Sequence, residues 1–170
     1  PWEFGRVPAA WIEPISRQVD QVWAYTRYVR DCYIDSGVDP AKIEIVPLGI
    51  DPRRFRPDCS PLPLPTQKSF KFLFVGGTIH RKGIDLLLDA YCELFDAGDD
   101  VALVIKDTGA NTFYRDQNAA ERIKALVRQE GQPEIVYLAD ALPLDLMPGL
   151  YAACDCLVHP SRGEGFGLPV

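Results

Sequence analysis

Phe70-Lys71-Phe72-Leu73-Phe74-Val75-Gly76-Gly77-Thr78-Ile79-His80-Arg81-Lys82-Gly83-Ile84-Asp85-Leu86-Leu87-Leu88 is the stretch that decides the fold. Its first six residues read as a buried strand, and from Ile84 the apolar residues Leu87, Leu88, Tyr91, Leu94 and Phe95 recur at helical spacing up to Gly98. Downstream the alternation continues. Val101 to Ile105 reads as a strand, Ile123, Leu126 and Val127 mark a helix ending at Gly131, and Ile135 to Leu138 is a third strand. Asp145 is expected to cap a short helix that tolerates Pro148 in its first turn, and Cys156-Leu157-Val158 is a fourth strand. Apolar strands that alternate with amphipathic helices pair in parallel and carry helices on both faces. The class is α/β, with a Rossmann-like parallel sheet over residues 68–170.

Upstream, Val22-Trp23-Ala24-Tyr25 reads as a buried strand, and Thr26 caps a helix with Val29, Cys32 and Tyr33 on one face. Gly37 stops that helix as a left-handed cap, and Ile43-Glu44-Ile45-Val46 returns as a strand. Residues 1–46 are therefore the end of a separate domain. Between the two, residues 47–67 carry Pro47, Pro52, Pro57, Pro61, Pro63 and Pro65, which remove backbone donors and suit an interdomain linker.

Composition narrows the function classes. With 47% of 170 residues apolar the chain can bury a core, and a net charge of -6 disfavours nucleic acid and anionic membrane as partners. No apolar run is long enough to span a bilayer, and Pro1-Trp2-Glu3-Phe4 does not resemble a signal segment, so a cytoplasmic location, free or membrane-peripheral, is expected. Five cysteines without a C-x-x-C pair argue against a disulfide framework or structural zinc, and Cys154 and Cys156 read as core residues on one face of a strand. The chain lacks an initiator Met and runs into a motif without closing it, so both ends read as internal cuts.

Two loops carry the chemistry. Gly76 to Gly83 joins the first strand of the α/β domain to its best helix, at the strand end where open sheets bind ligands. Arg81 and Lys82 stand there at the positive end of a helix, which a bound phosphate would make favourable; the alternative is that both side chains extend into water. The loop matches neither a P-loop nor G-x-G-x-x-G. The second loop, Pro160 to Pro169, sets Glu164 among glycines and offers the amides of Gly165, Phe166 and Gly167 to a polar ligand, unless it is an ordinary turn with a solvated Glu. His80 and His159 lie beside the loops without a clear role, and Lys106, Asp107, Thr108 and Gly109 end the second strand on the same rim.

Together these loops resemble the nucleotide-sugar-dependent glycosyltransferases of group 1 (glycosyltransferase family 4-like), enzymes of GT-B fold. The resemblance begins in Ile45-Val46-Pro47-Leu48-Gly49-Ile50-Asp51 with Arg54-Phe55-Arg56-Pro57 and continues through Phe74-Val75-Gly76-Gly77 and Arg81-Lys82-Gly83-Ile84-Asp85-Leu86-Leu87-Leu88. Tyr151 to Pro160 and Glu164-Gly165-Phe166-Gly167-Leu168-Pro169 complete it.

What the resemblance implies is transfer of a sugar from a nucleotide diphosphate donor with retention of configuration, residues 1–46 being the C-terminal end of the acceptor-side domain and residues 68–170 a donor domain truncated at its C-terminus. Glu164 would be the catalytic carboxylate against the transferred sugar, with Gly165, Phe166 and Gly167 lining it. Lys82 and Arg81, with Gly77 and Thr78 of the same loop, would hold the diphosphate. Gly77 stands where many relatives carry an Arg, and Arg81 is expected to supply that charge. The second Glu of the family signature would fall beyond Val170. No metal site and no cofactor are expected, because no D-x-D or clustered carboxylates stand near the loops. The acceptor stays open among glycan, lipid and protein, as does the oligomeric state, and a nucleotide-binding regulatory or scaffold module is the rival reading.

Overall fold

A computed structural model describes residues 3–109 and 117–170; Pro1 and Trp2 of the start lie outside the described residues. The chain divides into two compact units: the described part of Pro1–Ile50 with Gly163–Leu168, and that of Asp51–Arg162 with Pro169–Val170.

The first unit holds α1 (Ala9–Gln18), β1 (Val22–Ala24), α2 (Arg27–Asp35) and β2 (Ile43–Ile45). β1 and β2 pair in parallel, Val22 opposite Ile43 and Ala24 opposite Ile45. Ala24, Val29, Val38 and Ile43 form its core, with Ile12, Ile15 and Tyr33 packed against them. The Thr26 hydroxyl caps α2 by accepting from the Val29 amide at 3.1 Å, and Gly37 follows the helix at φ 101°, as the sequence predicts. Trp23 departs from the expected buried run: it is 65% exposed, because a strand covered on one face alternates its side chains. The sequence reading assigned no element before β1, yet α1 forms there with Pro14 inside it, no buried residue of its own, and the Lys42 ammonium donating to the Ser16 and Val19 carbonyls at its end.

The second unit holds β3 (Phe70–Gly76), α3 (Ile84–Leu94), β4 (Val101–Asp107), α4 (Ala120–Arg128), β5 (Glu134–Leu138), α5 (Met147–Ala152) and β6 (Cys156–Leu157). Its four strands are all parallel in the order β5-β4-β3-β6, with Phe70 opposite Val101 and Gly76 opposite Asp107. Alternation along the strands builds two cores. Phe74, Leu103, Ile105 and Ile135 meet Ile84, Leu87, Leu88 and Tyr91 of α3 and Ile123 of α4 on one face. Leu73, Val75, Val104 and Val136 meet Leu150 of α5 on the other. The α/β class and the parallel sheet with helices on both faces are thus as the sequence predicts.

Several local expectations are corrected. α3 ends at Leu94, which is 73% exposed, and Phe95 is already extended, because Phe95 turns back to pack on Phe72 and Tyr91. α5 starts without a side-chain cap, so Asp145 does not hold it. Cys154 precedes β6 rather than sharing it with Cys156, and burial pushes its thiol up to about 11. Within the proline-rich segment Leu62 and Leu64 pack on the second core, and the Leu62 amide donates to the Gly149 carbonyl at 2.8 Å.

Lys106, placed by the sequence at the rim where β4 ends, is buried. Its ammonium donates to the carbonyls of Asp107, Leu138 and Asp140 at 2.8, 3.2 and 2.9 Å, and burial holds its pKa below the usual lysine value. At the other end of the same strand pair the Tyr91 hydroxyl donates to the Glu134 carbonyl at 3.0 Å. No helix of the described residues is long and apolar enough to cross a membrane.

Candidate functional site

The strand order reverses at β3, which is flanked by β4 on one side and by β6, last in the chain, on the other. Outside such a reversal the loops of neighbouring strands diverge and leave a crevice at the carboxyl ends. The loop after β3 and the loop after β6 border it here.

The first of these loops is shaped by two glycines. Gly76 ends β3 at φ 154°, and a Cβ built on it would lie 3.8 Å from both Cδ and Cε of Lys82, so the stem of Lys82 runs past the end of the strand. Residues His80–Lys82 form one 3-10 turn, closed by the Lys82 amide on the Ile79 carbonyl at 2.9 Å, and Gly83 leaves it at φ 71° into α3. Arg81 and Lys82 therefore sit one turn ahead of a helix whose N-cap has no side-chain acceptor. Gly77 passes Gly109 at the end of β4, a Cβ on Gly77 lying 3.8 Å from the Gly109 Cα.

Thr78 takes a different course. It is 1% exposed, its hydroxyl donates to Asp107 Oδ2 at 2.9 Å, and its carbonyl accepts from the Ala119 amide at 2.7 Å. Its side chain thus turns into the unit rather than to the rim. Asp107, equally buried, also accepts at Oδ2 from the Tyr137 hydroxyl (2.8 Å) and at Oδ1 from the Gly109 amide (2.7 Å).

The loop after β6 is tied to the first. The Arg162 amide donates to the Arg81 carbonyl at 2.8 Å, and its guanidinium reaches the His80 carbonyl at 2.6 Å and both oxygens of Asp85 at 2.7 and 2.8 Å. Pro160 approaches Gly83 so closely that a Cβ there would stand 2.0 Å from its carbonyl oxygen. The motif residues are legible in the sequence, but the pairing of Asp85 with Arg162 is not, since they are 77 residues apart and nothing local joins them.

Gly77, Thr78, Arg81 and Lys82 thus share one loop of the second unit, whereas Glu164, Gly165, Phe166 and Gly167 belong to the first. Within that unit the Gly165 carbonyl accepts from the Thr26 hydroxyl at 3.5 Å, Gly167 has φ 82°, and Phe166 is 36% exposed. Gly163 lies against the N-terminal segment, where a Cβ would come 2.6 Å from the Glu3 carbonyl oxygen. Among the described residues no group of three or more His, Cys, Asp or Glu is placed to hold a metal ion.

The family described as glycosyl transferases group 1 matches residues 63–170, and the chain belongs to it. It is 31% identical over 161 residues to a D-inositol 3-phosphate glycosyltransferase of Acidothermus cellulolyticus, covering 89% of this chain and 34% of the relative. To the mannosylfructose-phosphate synthase of Agrobacterium fabrum it is 28% identical over 160 residues, covering 91% of this chain and 35% of the relative. The chain spans about a third of the length of these curated relatives. In fold it is similar to Anabaena HepE, solved in complex with UDP and glucose, with a TM-score of 0.60 at 18% identity over 88% of this chain and 40% of that one.

Proposed function

We propose that this chain contributes the donor site of an enzyme that transfers a sugar from a nucleotide diphosphate sugar with retention of configuration. The observation that carries the reading is the turn at His80–Lys82, which holds two cations at the carboxyl end of β3 beside the reversal of strand order. Family membership and the UDP and glucose bound by HepE support it.

In this reading Lys82 and Arg81 take the donor diphosphate at the β3 loop, with Gly77 letting it approach the backbone. As the sugar departs, negative charge grows on the diphosphate, and fixed cations beside a helix N-terminus stabilise that charge without reorganising, an effect worth several kcal/mol in enclosed sites. Glu164 faces the positive charge that develops on the sugar ring, and the amides of Gly165 to Gly167 line that sugar. Charge neutralisation is assigned to side chains, so EDTA is expected to leave the rate unchanged. Thr78 acts from the interior, through its bond to Asp107. The acceptor is a glycan, a lipid or a protein, and the enzyme works in the cytoplasm or at a membrane surface.

Titration of the complete enzyme with UDP, GDP, ADP and NAD tests the reading. One nucleoside diphosphate should bind selectively, and Lys82→Ala should weaken it by about tenfold or more. Binding of NAD alone, or of none, overturns the reading, and nucleotide binding without sugar transfer favours the rival of a regulatory or scaffold module. The anomeric configuration of the product, read by NMR, decides retention.

A further inference from the structure

The β3 loop is hung from the neighbouring strand by a buried carboxylate. Asp107, opposite Gly76 in the β4–β3 register, is 1% exposed and receives three donors: the hydroxyls of Thr78 and Tyr137 at Oδ2 and the Gly109 amide at Oδ1. A carboxylate in such a place is costly unless its oxygens are bonded, so any loop conformation that withdraws the Thr78 hydroxyl leaves a buried acceptor short of a partner. The carboxylate is itself oriented from the far side by Tyr137 of β5, and the Thr78 carbonyl is held by the Ala119 amide. Thr78 is thus fixed at its hydroxyl and its carbonyl, one residue before Ile79, whose carbonyl closes the turn that carries Arg81 and Lys82.

From this arrangement we infer that Asp107 is a positioning residue: linked to Thr78 and Tyr137, it sets the β3 loop in the one conformation that presents Lys82 to a nucleoside diphosphate. The last clause rests on the donor-site reading above. The holding of the loop does not.

Thr78→Val, Thr78→Ser and Tyr137→Phe in the complete enzyme test it by two measurements. Amide hydrogen exchange on the ligand-free protein should rise about tenfold or more over residues 77–82 in Thr78→Val and in Tyr137→Phe, with Leu88 and Leu103 unchanged. Titration with UDP, GDP and ADP should show affinity for the one that binds weakened by about tenfold in both, and Thr78→Ser should behave as wild type in both measurements. Unchanged loop exchange, a loosened loop with unchanged affinity, or a Ser variant as impaired as Val overturns the inference. A uniform rise in exchange across the sheet, marking a merely structural network, overturns it as well. If the wild-type enzyme binds none of UDP, GDP and ADP, the donor-site reading falls, and the exchange data alone decide whether Asp107 holds the loop.

Discussion

Arg162 and Asp85 face each other as a fork on a fork: Nη1 meets Oδ1 at 2.7 Å and Nη2 meets Oδ2 at 2.8 Å. The geometry suits a planar guanidinium and no ammonium. Because Arg162 also bonds the His80 and Arg81 carbonyls, the pair closes the loop after β6 onto the loop after β3.

Acid should undo this contact late. The Arg162 guanidinium holds the Asp85 carboxyl well below its usual value, at about 2. A depressed folded pKa stabilises the native state above the unfolded value near 3.8, and that gain is lost as pH falls from there towards 2. Both side chains are about a third exposed, so Asp85→Asn should lower Tm at pH 7 by no more than about 4 °C, a difference that vanishes below pH 2. Thermal melts at pH 7, 4 and 2 check both statements.

Gly83→Ala should be far more damaging. The new Cβ would meet the Pro160 carbonyl oxygen at 2.0 Å in a residue already at φ 71°, and neither backbone can yield without moving α3 or β6. We expect a loss of about 3 kcal/mol or more, measured by urea unfolding of the complete enzyme.

How much of this was legible in the sequence follows from the range of the interactions. The β3 loop and its helix were readable because a strand, a glycine turn and an amphipathic helix are written in adjacent residues. The Asp107 network and the Arg162–Asp85 pair were not, since they join positions 29 to 77 residues apart that no local pattern connects. Asp145 failed as a cap because α5 begins one residue later, with Leu146 at the N-cap, so Asp145 stands ahead of the position from which a side chain caps. Thr78 was placed in the right loop, but the sequence could not say that its hydroxyl points inward.

Arg81→Ala separates compensation from decoration. If Arg81 supplies the charge missing at Gly77, nucleoside diphosphate affinity should fall by about tenfold, and Gly77→Arg in the same background should recover part of it. Isothermal titration of the two variants reads the outcome, and an unchanged affinity for Arg81→Ala removes that residue from the site.

Ile123→Ala should cost about 2 to 4 kcal/mol in urea unfolding. Ile123 is the one fully buried residue of α4 and sits in the core beneath β4 and β5 with Leu126 half-buried beside it, so its truncation opens a cavity there.

Alkylation should distinguish Cys154. With its thiol pushed up to about 11 by burial, only about one molecule in a thousand carries the thiolate at pH 8, so iodoacetamide labelling followed by mass spectrometry should leave Cys154 unmodified in the native state.

Lys106 and Tyr91 also change what it means for β5 to lie outermost in its sheet. Ordinarily such a strand can slide along its neighbour two residues at a time, trading one ladder for another at little loss. Here one end of β5 and the chain just past it offer the Leu138 and Asp140 carbonyls to an ammonium, and the other end gives the Glu134 carbonyl to a phenol. A shift in either direction would displace all three carbonyls at once, leaving the buried ammonium only the Asp107 carbonyl of its own strand. The frame in which this strand is read is therefore tied at both margins, and misaligned versions of the fold are disfavoured.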